Sequence, residues 1–136
     1  MASFIVDIDS FVKKAKINPA KATKKAFFEV ANRIVFLTPV DNGRLVNNWF
    51  AGVNHPDRST TSALSTSGAA SKSSIDKVQK ARTGGDFTLY LNNSLPYAHR
   101  IEFDGWSHTK APAGMVRVAI AEFNYQLMIA ARGLNK

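Results

Sequence analysis

The sequence predicts an α+β domain in which a long N-terminal helix and a C-terminal helix pack on a small antiparallel sheet. Three observations predict it. Phe27, Val30, Ala31, Ile34 and Leu37 recur at helical spacing between Asn18-Pro19 and Thr38-Pro39. Leu45–Val53 and Asp86–Leu91 alternate as half-buried strands do. Near the C-terminus, Val116, Ala119, Ile120, Phe123, Leu127 and Ala130 form a second apolar stripe.

Taken in order, Asp9 or Ser10 could cap a short first helix carrying Phe11, Val12 and Ala15. Asn18 and Pro19 suit the cap and first turn of the next helix, because proline lacks an N–H that would go unbonded there. Pro39 disfavours helical geometry at Thr38, so that helix should stop there. Asp41-Asn42-Gly43 is turn chemistry: the Asp side chain accepts backbone N–H groups, while Asn and Gly tolerate positive φ. In the strand from Leu45, residues 45, 47, 49 and 51 share one face, and 46, 48, 50 and 52 the other.

From Ser59 to Ser74, ten of sixteen residues are Ser or Thr, and Leu64 is the only large apolar one. Such a stretch buries little surface against its ordering entropy, so a mobile loop is expected, with an insertion spanning about 54–74. A short helix from Ser74 to Arg82 should end at Gly84-Gly85. After the strand that follows, Asn92-Asn93 reads as a turn, and Tyr97–Phe103 as a second strand or a strand entering a loop. Pro112 opens the last helix and Gly133 is a stop for it.

The 136 residues fit one domain spanning the whole chain. Hydrophobic residues are 45% and charged residues 21%, with no apolar run long enough to span a bilayer. Acids at Asp7 and Asp9 break the first apolar stretch, so no secretion signal is expected. Without cysteine there are no disulfides or thiolate metal ligands. The net charge of +8 favours polyanions or acidic protein surfaces. Much of it is local: Lys13, Lys14, Lys16, Lys21, Lys24 and Lys25 fall within thirteen residues.

Candidate chemistry is sparse. Glu102, Asp104 and Lys110 loosely resemble the acid–x–acid…lysine set of metal-dependent nucleases, with Asp86 or Asp41 as a further acid. The competing account is a surface loop with a paired Glu. His55, His99 and His108 lack paired ligand spacing. No Gly-x-Ser-x-Gly elbow and no phosphate-binding Gly-rich loop is present. The lysine run could neutralise DNA phosphates, meet an acidic neighbour, or simply face water. Arg44 could bridge Glu102 bidentately. Trp49 and Tyr97 could be core residues or anchors of a subunit contact.

Two matched segments then stand out. The first is Thr38-Pro39-Val40-Asp41-Asn42-Gly43-Arg44, followed by Asn48-Trp49. The second is Asn93-Ser94-Leu95-Pro96-Tyr97-Ala98, then Glu102-Phe103, then Ala111-Pro112-Ala113-Gly114-Met115-Val116-Arg117. In this order and spacing the chain resembles the tail-completion (minor tail protein Z-like) neck proteins of long-tailed bacteriophages, from about Phe4 to Ala130. Asn42 stands where that family usually has Thr, and Asp104 and the longer approach to Ala111 depart from its Glu–aromatic–Gly pattern.

The resemblance implies a non-enzymatic virion protein, needing no cofactor, assembled in the host cytoplasm and lodged at the head–tail junction. It implies a homo-oligomeric ring, six- or twelve-fold, through which double-stranded DNA passes. The neighbours would be portal or adaptor proteins on the head side and terminator or tube proteins on the tail side, with no membrane. Asp41, Gly43, Arg44, Trp49, Tyr97, Glu102, Pro112 and Met115 would take structural and interface roles. The six lysines would touch DNA or an acidic partner. The alternatives are a tail-terminator ring and, from another class, a small basic DNA-binding protein or nuclease.

Overall fold

A computed structural model of the chain describes residues 18–40, 42–82, 87–95, 98, 102 and 114–134. Within these residues the architecture is α+β, with three helices and one two-stranded antiparallel sheet. The expected first helix around Phe11 lies outside the described residues.

Helix α1 runs Pro19–Leu37. Asn18 Oδ1 accepts from the amides of Ala20 and Lys21 at 2.9 and 3.2 Å, meeting two of the N–H groups that a helix start leaves unbonded. At the other end Thr38 is extended, as the residue before a proline must be, and its hydroxyl donates to the Ile34 carbonyl at 2.7 Å. Ala31, Ile34 and Val35 from this helix enter the core, flanked by Phe27, Val30 and Leu37.

Strand β1 is Trp49–Val53, starting four residues later than the sequence suggests. Arg44 to Asn47 form a turn instead. The Asn47 amide donates to the Gly43 carbonyl, and the Asn48 amide to that of Arg44, each four residues back and at 2.7 Å. These side-chain bonds draw the backbone out of extended geometry.

Helix α2, Ala69–Lys80, begins five residues before the expected one and takes in the last six residues of the Ser/Thr-rich stretch. Composition misleads because three residues of this helix, Ser71, Ile75 and Val78, are buried. Ser71 Oγ accepts the Trp49 amide and donates to the Val46 carbonyl, while Ser74 Oγ accepts the Ala51 amide. Small hydroxyl side chains thus let the helix lie directly on the outer edge of β1.

Strand β2 is Leu89–Asn93, paired with β1 in the register Trp49↔Asn93 to Val53↔Leu89. Asn92 and Asn93 therefore end a strand rather than form a turn. Asn93 Nδ2 donates to the Leu45 carbonyl and its Oδ1 accepts the Leu95 amide, satisfying the backbone where the strand ends. Ala98 and Glu102, the described residues of the Tyr97–Phe103 run, are helical, so the expected strand does not pass through them.

Helix α3 spans Val116–Leu134 and runs past Gly133, the expected stop. Ile75, Met115 and Ala119 are almost wholly inaccessible, completing a core with Leu45, Val46, Trp49 and Leu95. Burying an Ile or Met side chain this fully contributes roughly 1.5–3 kcal/mol. Among the described residues no helix is long and apolar enough to cross a membrane.

Candidate functional site

The buried polar side chains of the two matched segments bond mainly to backbone. In the first segment Gly43 has φ +89°, and its α-carbon lies so close to the Leu64 main chain that no Cβ fits. Asn47 and Asn48 are fully buried. Asn47 Nδ2 also donates to the Ser65 carbonyl at 2.6 Å, and its Oδ1 accepts the Ala70 amide at 3.1 Å. Asn48 exchanges bonds with Thr61, its Oδ1 accepting the amide at 2.9 Å and its Nδ2 donating to the carbonyl at 3.1 Å. The Ser/Thr stretch is therefore pinned at residues 61, 64, 65 and 70 by the turn that precedes β1.

Trp49 is only 5% exposed, and its indole N–H donates to Thr38 Oγ1 at 2.9 Å. That places it in the core, binding the end of α1 to the start of β1, and not at a subunit surface. Arg44 is exposed, with its own amide bonded to Asn42 Oδ1. Glu102 pairs with a different arginine.

The second segment centres on Glu102, whose side chain is 7% exposed. Its carboxylate accepts the amides of Met115 at 2.5 Å and of Val116 and Arg117 at 2.9 Å each. Arg117 Nε approaches the same carboxylate at 3.3 Å, and Arg117 Nη2 donates to the Glu102 carbonyl. An acid distant in sequence thus caps α3, where unbonded amides and the positive end of the helix dipole favour an anion. Gly114, at φ +91°, makes the approach possible: a Cβ there would stand 2.6 Å from the Glu102 carbonyl oxygen. Met115 follows it at zero exposure.

This arrangement leaves the Glu102 carboxylate bonded to main chain, which is the wrong state for holding a catalytic cation. Asp41, Asp86, Asp104 and Lys110, the other members of the nuclease-like set, lie outside the described residues, as do Tyr97, Pro112, His99 and His108. His55 is exposed. Among the described residues no three His, Asp or Glu side chains converge as metal ligands would.

Of the six candidate lysines, Lys13, Lys14 and Lys16 lie outside the described residues. Lys21 and Lys25 are exposed. Lys24 donates its ammonium to the Ala81 carbonyl, at the C-terminal end of α2. Sequence reasoning gives no bonding role to Arg117, to Asn47 and Asn48, or to the α2 serines Ser71 and Ser74. The Asn-Asn pair following a Gly-Arg turn was a usable signal; nothing in composition marks Ser71 or Ser74.

On the outer face, Arg33 of α1 pairs bidentately with Glu122 of α3, at 2.7 and 3.1 Å, and lies over the Phe36 ring at 4.9 Å. The hydrogen bond from Arg33 lowers the Glu122 pKa. Phe36, Leu64 and Tyr125 are the large hydrophobic residues left exposed among the described ones. Comparison of the chain with protein families, curated proteins and solved structures finds no match.

Proposed function

We propose that this chain is a structural protein of a tailed-phage neck, completing the tail as a ring through which DNA passes. One observation carries the reading: Asn47, Asn48 and Glu102, three buried polar residues of the two matched stretches, all hydrogen-bond to backbone. Residues so used shape a framework and leave function to its surfaces. Exposed Phe36, Leu64 and Tyr125 supply apolar area suited to contacts between copies. A closed ring needs two different complementary patches on each subunit, and a small α+β domain with basic and apolar faces can supply them.

The test is localisation. Antibody against this chain, imaged by electron microscopy on purified particles, should mark the junction of head and tail, and particles lacking the protein should carry unjoined heads and tails. Labelling confined to the capsid interior, or joined particles without the chain, would refute the assignment.

A further inference from the structure

We infer that the exposed cations of α2 and of the first turns of α1 form one continuous surface that binds the phosphate backbone of duplex DNA. This rests on the reading of a ring that passes DNA and names the contact surface. The bond from Lys24 to the Ala81 carbonyl brings the start of α1 against the end of α2. Exposed Lys21 and Lys25 thereby join Lys77, Lys80 and Arg82, which are also exposed. Lys72, Lys77 and Lys80, with Ser67 and Ser73, line a shallow depression of about 440 Å³ whose one acid is Asp76. Among the described residues, both ion pairs lie elsewhere, at Arg33–Glu122 and Arg117–Glu102.

A purely structural account would assign these lysines to helix polarity, since cations stabilise helix C-termini. It suits Lys77 and Lys80, which stand in the last turn of α2. It fails for Lys21 and Lys72, which stand near the starts of α1 and α2, where that polarity opposes a positive charge. Neither placement is explained by helix polarity, which points to an anion outside the chain. At about 1.5 Å rise per residue, Lys72 to Lys80 spans roughly 12 Å, a length of duplex carrying about seven phosphate charges. Among the described residues no exposed large aromatic stands among these lysines, so they offer no platform for stacking unpaired bases. Flexible lysine ammoniums act as point charges on phosphate rows, a contact blind to sequence.

The experiment is fluorescence anisotropy of the full chain with a labelled duplex of about 20 base pairs, titrated across salt concentrations. Lys77→Gln/Lys80→Gln is compared with Arg44→Gln/Arg58→Gln, which removes the same charge at other exposed positions. Circular dichroism confirms that both variants fold. Each phosphate contact contributes about 0.9 to the logarithmic salt slope. The lysine variant should therefore lower that slope by about 1.8 and weaken binding between about tenfold and sixtyfold at 0.1 M salt. The arginine variant should stay within about twofold of the parent. Equal losses in the two variants, or no duplex binding by the parent at 50 mM salt, would overturn the inference, the second outcome favouring an acidic protein as the partner. DNA affinity carried by this patch in a chain absent from the neck would overturn the assembly role instead, so the two failures are separable.

Discussion

Replacing Glu102 by alanine removes the acceptor that holds the start of α3. Three amides and one guanidinium lose their partner, at 2.5, 2.9, 2.9 and 3.3 Å. Taken singly, hydrogen bonds to a charged group are worth about 1.5–3 kcal/mol. Summing all four would overstate the loss, because Val116 and Arg117 lie near the surface and water can replace part of it. The Met115 amide is buried and has no such rescue. Loss of a helix cap costs about 0.5–2 kcal/mol and loss of the favourable dipole interaction adds up to about 2. The expectation is about 3 kcal/mol for Glu102→Ala. At about 2.1 cal/mol/K per residue, 136 residues give an unfolding entropy near ~290 cal/mol/K. The midpoint should therefore fall by about 10 °C. Glu102→Gln keeps one acceptor but turns an amide toward N–H donors, so it should lie between parent and alanine variant. Thermal circular dichroism measures the shift, and amide hydrogen exchange locates it: Met115, Val116 and Arg117 should lose protection before the strands do. A midpoint change under about 2 °C, or exchange that accelerates equally in β1, would refute the capping role.

Asn48→Ala should destabilise by about 2–3 kcal/mol, because the part-buried Thr61 amide and two carbonyls lose the fully buried side chain that partners them; limited proteolysis should then cut first between residues 57 and 66. Acid should weaken the contact between α1 and α3. The Glu122 pKa is lowered in the folded chain, so the Arg33–Glu122 contribution is present above the ordinary carboxylate range and is lost as pH falls through the folded value. Arg33→Ala should flatten the acid limb of a plot of unfolding midpoint against pH, slightly, since the pair is exposed and screened by salt.

Legibility of the fold in the sequence followed how local its causes are. Helix α1 could be bounded to the residue because Asn18-Pro19 and Thr38-Pro39 act on their own neighbours. The start of β1 could not, since Asn47 and Asn48 look like strand residues until their amides are seen to bond four residues back. Helix α2 starts earlier than its composition predicts because Ser71 and Ser74 suit a loop, yet bond to a strand more than twenty residues away. The same limit governs the site. Sequence offers Glu102 a partner in Arg44, an arginine beside a turn, whereas Arg117 is carried there by the helix that Glu102 itself caps. Trp49 could be core or surface from sequence, and only its bond to Thr38 assigns it to the interior.

A sheet of two strands has two flanks, and each is an invitation to any extended peptide that drifts by. One flank is closed in this chain: the hydroxyls of Ser71 and Ser74 already hold the amides of Trp49 and Ala51 that an intruding peptide would need. Unwanted fibre growth through β1 is thereby discouraged by two of the smallest polar side chains available. Exchanging either serine for alanine would leave a β1 amide facing α2 without its acceptor.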